Sequence, residues 1–154
     1  MYKILITDPI SDSGLSVLDS PNIEVIYKPG ISDDELIPFL PEVHGWIIRS
    51  GTKISAQHLE NTKKLLVIGR AGVGVDNIDI DQATKAGVVV MNLPDGNTIS
   101  AAEHTMAMLC ALSRNIHMGH LGMSKGEWNR HKLVGNELKG KVLGVVGLGK
   151  IGRE

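Results

Sequence analysis

The sequence predicts an α/β protein, with a mainly parallel, doubly wound sheet followed by the start of a second α/β unit. Two observations predict this class. Short apolar runs alternate with helical patterns through roughly the first 90 residues. A glycine-rich hexapeptide then follows one further apolar run close to residue 154. We expect the first unit to occupy residues 1–98 and the second to occupy residues 99–154.

Five apolar runs predict the strands of the first unit. Each is rich in Val, Ile and Leu and bounded by turn residues, which is typical of strands buried on both faces. The predicted strands are residues 4–7, 23–27, 46–49, 65–69 and 88–91.

Capping residues predict where the intervening helices begin. Ser13 precedes residues 14–18, Ser55 precedes residues 56–61, and Asp79 or Asp81 precedes residues 83–86, which Gly87 terminates. Ser32 and Glu35 have capping-box spacing, and Pro38 then predicts a short or kinked helix, because proline lacks the backbone donor.

The second unit is predicted to begin with a longer helix. Ser100 and Glu103 repeat the capping-box spacing and predict a helix that continues to about Ser113. Residues 142–146 are then apolar and predict a strand.

A dinucleotide-binding loop follows that strand directly. Residues 147–152 match G-x-G-x-x-G. Gly147 permits a tight turn, Gly149 lets the backbone approach a pyrophosphate, and Gly152 allows close helix–strand packing. The loop is compatible with NAD and with NADP, because the acidic residue that reads the ribose lies about 20 positions further on.

Two arginines end neighbouring apolar runs. Ligands of open α/β sheets bind beyond the carboxyl ends of the strands, where Arg49 and Arg70 are expected to lie. Guanidinium groups bind carboxylate and phosphate through a planar fork, and the turn formed by Gly72, Val73 and Gly74 can direct N–H groups toward the same anion. An anion site, an ordinary surface ion pair and a hydrogen bond that caps a backbone carbonyl all remain open interpretations.

Composition excludes several other classes of function. The net charge is -1 and no charge block is present, so nothing favours nucleic acid or a membrane surface as a partner. The six histidines include no set with the spacing of metal ligands. Cys110, the single cysteine, lies in an apolar stretch and is expected to be buried. We expect a cytoplasmic protein without a bound metal.

Several other residues have a structural interpretation. Glu103 is expected to be a helix cap, and His104 to lie on the helix surface or at an interface. A group of apolar residues is expected to form core or a subunit contact: Met106, Met108, Leu109, Leu112 and Trp128.

Long blocks of the sequence resemble the D-isomer-specific 2-hydroxyacid dehydrogenases. The similarity covers residues 6–10, 48–53, 67–79 and 92–107, then Gly140, Lys141 and the glycine loop. Gly51 departs from the alanine expected in this family. The blocks around residues 69–77 and 96–103 are similar to the branch of the family that acts on phosphoglycerate.

The resemblance implies a flavodoxin-like substrate-binding domain followed by a Rossmann domain that binds NAD. It assigns the acid groups of the substrate to Arg49, Ser50, Arg70, Gly72, Val73, Gly74 and Asn97. It assigns the cofactor to Val73, Gly147, Gly149, Lys150, Ile151 and Gly152. The family's catalytic arginine, glutamate and histidine lie beyond the glycine loop, so no catalytic residue is expected among these residues and the chain alone is expected to be inactive.

The expected activity of the full-length protein is NAD-dependent oxidation of 3-phosphoglycerate to 3-phosphohydroxypyruvate, the entry to serine synthesis. Two alternatives remain: reduction of glyoxylate, hydroxypyruvate or another 2-keto acid within the same family, and a non-catalytic ligand-binding or dimerisation module. The helix from Ser100 and the segment around Trp128 resemble the family's dimerisation region, which implies a homodimer or a larger homo-oligomer. A chain of this length on its own is expected to self-associate.

Overall fold

A computed structural model describes residues 1–154, which divide into two compact units, Met1–Gly96 and Asn97–Glu154. The first unit has a five-stranded parallel sheet in the order β2-β1-β3-β4-β5. The strands are β1 Tyr2–Ile6, β2 Ile23–Tyr27, β3 Gly45–Ile48, β4 Val67–Arg70 and β5 Val89–Asn92. This order confirms the predicted flavodoxin-like, doubly wound α/β fold.

The helices of the first unit connect successive strands. They are α1 Asp12–Ser16, α2 Asp33–Leu36, a 3₁₀ helix at Ile37–Glu42, α3 Ala56–Glu60 and α4 Ile80–Lys85. A helical connection lets each strand return parallel to its neighbour, and it places every strand's carboxyl end at the same edge of the sheet.

The core lies on the three central strands. Leu5, Trp46, Ile48 and Ile68 are completely buried and belong to one apolar cluster. The edge strands differ, because β2 and β5 contain no buried residue. The prediction that all five strands are buried on both faces is therefore wrong for β2 and β5, each of which has a neighbouring strand on one side only.

Most predicted caps of the first unit are confirmed. Ser55 caps α3 and Asp79 caps α4 through their side-chain oxygens, and Gly87 follows α4 with φ +71°. The prediction for α1 is wrong: Ser11 caps this helix, and its Oγ accepts a hydrogen bond from the N–H of Gly14 at 3.3 Å. Ser13 is already inside the first turn of the helix.

The capping box before α2 is confirmed. The hydroxyl and the backbone N–H of Ser32 both donate to Glu35 Oε2, at 2.7 and 3.4 Å. The α-helix then ends at Leu36, and the chain continues as the 3₁₀ helix that contains Pro38. The expected short helix follows from the missing backbone donor of proline.

The second unit is helical. Its elements are α5 Thr98–Ser113, α6 Ile116–Ser124, a 3₁₀ helix at Arg130–Leu133 and α7 Lys150–Arg153. The predicted capping box of Ser100 and Glu103 is wrong, because α5 begins two residues before Ser100. The Ser100 hydroxyl donates to the Asn97 carbonyl at 3.3 Å, so Glu103 lies within the helix and does not cap it.

The strand predicted at residues 142–146 is not formed. Residues 142–145 have no regular secondary structure, and Val142 and Val146 are fully exposed. A strand needs a neighbour for its backbone hydrogen bonds, and no other strand is present in the second unit.

The apolar side chains of α5 and α6 are largely uncovered. Met106, Met108 and Leu112 are exposed, so they do not form a core within the unit, and Trp128 is also exposed. The expectation of a buried Cys110 is wrong, because the face of α5 that carries its thiol is open. None of the helices combines the length and apolar character that crossing a bilayer requires.

Candidate functional site

The two arginines lie at the carboxyl ends of neighbouring strands. In the β3–β4 pairing Ile48 is opposite Arg70, and the N–H of Ala71 donates to the Ile48 carbonyl at 2.8 Å. Arg49 follows Ile48 directly, so the segments after β3 and β4 leave the sheet side by side. This edge of a parallel sheet is where its ligands bind.

The segment after β3 forms a turn, residues 49–52, that is anchored by a buried carboxylate. Asp8, the second residue after β1, is only 6% exposed. Its Oδ2 accepts hydrogen bonds from the N–H of Arg49 at 2.6 Å and from the N–H of Thr52 at 3.0 Å. These two bonds fix the beginning and the end of the turn.

The carbonyl groups of the same two residues have a common partner. Asn77, in the segment between β4 and α4, donates from Nδ2 to the Arg49 carbonyl at 2.7 Å and to the Thr52 carbonyl at 2.6 Å. A parallel bridge between Ile54 and Ile78 holds the two segments together beside this amide. The turn is therefore held by side chains on both its N–H and its C=O groups.

The centre of the turn remains open. Ser50 and Gly51 are exposed, and their N–H groups make no hydrogen bond within the chain. Arg49 is exposed, and its Nη1 donates only to the Pro9 carbonyl, at 3.3 Å. An anion over this turn would meet two backbone donors and one guanidinium.

Gly51 lies against the anchoring carboxylate. A Cβ at position 51 would overlap Asp8 Oδ1. The glycine at this position, which departs from the family's expected alanine, thus leaves room for the Asp8 side chain beneath the turn.

Arg70 and the glycine segment after it form the second half of the site. The guanidinium of Arg70 folds over Gly72 so closely that a Cβ there would overlap Nη1. Its Nε is buried and has no hydrogen-bond partner. An unpaired buried donor on a cationic side chain is costly.

Residues of β5 and of the loop that follows it form hydrogen bonds with the backbone of this segment. Asn92 Nδ2 donates to the Val73 carbonyl at 2.6 Å, and the N–H of Leu93 donates to the Gly72 carbonyl at 2.9 Å. The N–H groups of Val73 and Gly74 make no hydrogen bond within the chain. The segment therefore offers backbone donors beside Arg70.

Two further groups of predicted site residues belong to the second unit. Asn97 is the residue before α5. In the glycine loop, Gly147 has φ +101°, a conformation that favours glycine, and a Cβ at Gly152 would overlap the Gly147 carbonyl. Gly149 has open space where a side chain would be, and Lys150 and Ile151 begin α7.

Sequence reasoning missed Asp8 and Asn77. The signal for Asp8 was its position immediately after the predicted strand at residues 4–7, and that for Asn77 was its position in a strand-to-helix segment. The buried histidine, His58, belongs to the cap of α3, where its Nδ1 accepts the Ser55 N–H. No group of side chains has the composition of a metal site.

Comparisons with known proteins place the chain in a family. D-3-phosphoglycerate dehydrogenase of Archaeoglobus fulgidus is 45% identical over 99% of the chain, and that of Bacillus subtilis is 47% identical over 100%. The chain spans 29% of the length of each of these relatives.

The chain is also similar in structure to a 3-phosphoglycerate dehydrogenase that has been solved. The NAD⁺-bound 3-phosphoglycerate dehydrogenase of Entamoeba histolytica is 28% identical, with a TM-score of 0.76 over 99% of this chain and 48% of its own. Residues 4–142 match the family described as D-isomer specific 2-hydroxyacid dehydrogenase, catalytic domain. The chain belongs to the D-isomer-specific 2-hydroxyacid dehydrogenase family.

Proposed function

We propose that this chain is the substrate-binding part, and the beginning of the NAD-binding part, of an enzyme that oxidises 3-phosphoglycerate to 3-phosphohydroxypyruvate in serine biosynthesis. The observation that carries the proposal is the pair of arginines at adjacent strand ends, combined with four unpaired backbone N–H groups and the unpaired Nε of Arg70. The identity to D-3-phosphoglycerate dehydrogenases supports the choice of substrate.

The chemistry of the substrate fits this donor set. 3-Phosphoglycerate carries a carboxylate at one end and a phosphate at the other, and guanidinium is the side chain best matched to both groups. In our proposal Arg49, Ser50, Arg70 and the backbone of residues 72–74 hold these acid groups. Asn97 is assigned to the same substrate because it matches a substrate-binding position of the family. The role of the chain is to bind and orient anions, and proton transfer is not assigned to any of its residues.

NAD is the proposed cofactor. When bound, it supplies the hydride acceptor for the carbon that carries the hydroxyl group. The glycine loop fits a pyrophosphate, because nothing lies within 4 Å of where the side chains of residues 147 and 149 would be. Gly152, Lys150 and Ile151 complete the proposed phosphate contact, and Val73 is proposed to lie beside the nicotinamide half.

The exposed apolar faces of α5 and α6 are the proposed contact between subunits of a homodimer or larger homo-oligomer. Met106, Met108 and Leu112 on α5 and Met118 and Leu121 on α6 are each about half exposed or more. Met108 and Leu112 are four residues apart and so share one face of α5, and exposed apolar faces are typical of protein interfaces. We also propose that the enzyme is cytoplasmic, because the reaction proposed for it belongs to cytoplasmic metabolism.

The test compares substrates in the full-length enzyme. Arg49→Gln and Arg70→Gln should each raise the KM for phosphohydroxypyruvate with NADH by roughly 10- to 100-fold, because each removes charge-assisted hydrogen bonds. Glyoxylate lacks the phosphate, so the double variant should lose much less activity toward glyoxylate than toward the phosphorylated substrate.

Lys63→Gln is the matched control, because it removes an exposed positive charge from the first unit away from the site. Equal losses for glyoxylate and phosphohydroxypyruvate in the double variant would instead favour a glyoxylate or hydroxypyruvate reductase. Absence of activity with every 2-keto acid would favour a non-catalytic module.

A further inference from the structure

We propose that Asp8 and Asn77 are positioning residues that together hold the turn of residues 49–52 in its substrate-binding conformation. The inference rests on the proposed function, because it assigns a cause to the shape of that same anion site. Neither residue is placed in contact with the substrate.

The two side chains bind different backbone groups of the turn. Asp8 accepts from the N–H groups of Arg49 and Thr52, and Asn77 donates to the carbonyl groups of the same two residues. All four backbone groups at the ends of the turn are therefore satisfied by side chains from other segments. The N–H groups of Ser50 and Gly51, between them, are left for a ligand.

The segments that carry the two anchoring side chains, Asp8 and Asn77, are themselves held in place. The hydroxyl of Thr7, beside Asp8, is buried and accepts hydrogen bonds from Trp46 Nε1 at 2.9 Å and from Thr52 Oγ1 at 2.8 Å. On the other side the Asn77 carbonyl accepts the N–H of Ile54 at 2.8 Å. Both anchors are thus tied to the core, so they can impose a conformation on an exposed turn.

Positions 8 and 77 need opposite hydrogen-bonding groups. Position 8 needs only an acceptor, which the carbonyl oxygen of asparagine also supplies. Position 77 needs a double donor, which asparagine supplies and a carboxylate does not. An ionised aspartate at position 77 would also place a negative charge against two carbonyl oxygens. The same pair of side chains, exchanged between the two positions, should therefore give opposite results.

The experiment uses the full-length enzyme with phosphohydroxypyruvate and NADH. Asp8→Ala and Asn77→Ala should raise KM for the keto acid roughly 10-fold or more, since each removes two hydrogen bonds from the turn. We expect kcat and the NADH dissociation constant to change less than about 3-fold, because the hydride-transfer geometry is set elsewhere. Asp8→Asn should stay within about 3-fold of the wild-type KM, and Asn77→Asp should be worse than Asn77→Ala.

Leu65→Ala is the control for general loss of stability. Leu65 is buried before β4, at the opposite edge of the sheet, and its truncation should lower Tm without raising KM. A rise in KM for Leu65→Ala equal to that for Asp8→Ala would overturn the proposal. So would an Asp8→Asn enzyme as impaired as Asp8→Ala, or an Asn77→Asp enzyme milder than Asn77→Ala. If the alanine variants do not fold, the proposal is tested by the KM values of Asp8→Asn and Asn77→Asp, which should respond in opposite ways.

Failure of this inference can be distinguished from failure of the proposed function. If Arg49→Gln and Arg70→Gln raise KM but Asp8→Ala does not, the function stands and the positioning role is wrong. If the preferred substrate is a different 2-keto acid and Asp8→Ala raises the KM for that acid, the positioning role stands and the proposed substrate is wrong.

Discussion

Among single residues, Gly51 and Gly72 contribute to the site because they have no side chain. The Arg70 guanidinium occupies the space that a Cβ on Gly72 would fill, and Asp8 does the same at Gly51. Neither glycine has a positive φ, so neither is required for the backbone conformation. Each instead leaves room for the close approach of a charged group to the backbone.

Gly72→Ala should therefore act on substrate binding more than on folding. The added methyl displaces the guanidinium of Arg70, and we expect KM for the acidic substrate of the full-length enzyme to rise roughly 10-fold, as for partial loss of a charge-assisted bond. Gly87→Ala is the matched control: with φ +71° it should cost about 1 kcal/mol of stability and leave KM unchanged. Steady-state kinetics and thermal unfolding check both, and an unchanged KM in Gly72→Ala would contradict the assigned role of this glycine.

The place of the two arginines at strand ends was predictable from the sequence, whereas the hydrogen bonds that shape the turn were not. Arg49, Arg70 and the glycines after Arg70 follow from strand ends, which are visible in the apolar pattern. The bonds from Asp8 to Arg49 and from Asn77 to Arg49 span 41 and 28 residues. They connect side chains to backbone groups, and no periodicity in the sequence reports such a pairing.

At the scale of elements, the two capping-box sequences show how context decides a local motif. Ser32 and Glu35 form the box, while Ser100 and Glu103, with the same spacing, do not. The difference is that α5 already begins at Thr98 after Asn97, which places Ser100 in the first helical turn. There its hydroxyl bonds a carbonyl, the usual local alternative for serine within a helix.

The box at Ser32 has a measurable consequence for pH. Hydrogen bonds from the Ser32 hydroxyl and then from its N–H lower the pKa of Glu35 below the ordinary glutamate value. A lowered folded-state pKa means that the stabilisation is present above the unfolded-state pKa and is lost as pH falls through the folded-state pKa. An NMR titration of the Glu35 carboxyl should give a lowered midpoint that Ser32→Ala raises. Ser13→Ala is the control; if Ser32→Ala left the midpoint unchanged, the assigned cause would be wrong.

At the scale of the whole molecule, burial is confined to one unit. Every member of the apolar core lies between Leu5 and Val88, and no residue of Asn97–Glu154 is buried. The exposed apolar side chains of the second unit give the chain surface that water solvates poorly. The sequence left open whether the apolar residues of α5 form core or a subunit contact, because α5 and residues 142–146 are as apolar as the core elements.

The 154-residue chain should therefore self-associate through its second unit. Light scattering after size-exclusion chromatography should give a mass that rises with concentration above 16.6 kDa. Leu112→Lys and Met108→Lys introduce charge on the exposed face of α5 and should shift the distribution toward the monomer. Lys85→Glu, which changes an exposed charge in the first unit, is the control. A constant mass of 16.6 kDa at all concentrations would argue against association.

The first unit should fold without the second, because its sheet, its core and the anchors of the turn at residues 49–52 are all contained in Met1–Gly96. Trp46 is completely buried and is the only tryptophan of that segment, so its fluorescence reports this unit. In the 154-residue chain, Trp128→Phe removes the second tryptophan, which is exposed, and leaves Trp46 as the only reporter. Met1–Gly96 should unfold cooperatively, with a Tm within a few degrees of the Trp46 transition in that longer chain.

Two truncations of a leucine side chain separate the contributions of the two units to this transition. Leu40→Ala removes a fully buried side chain and should lower the Trp46 transition in both chains together, at a cost of about 2–5 kcal/mol. Leu112→Ala, in the exposed face of α5, should leave the Trp46 transition of the longer chain where it is. A gradual, non-cooperative loss of Trp46 fluorescence in the shorter chain would mean that the second unit contributes to the stability of the first.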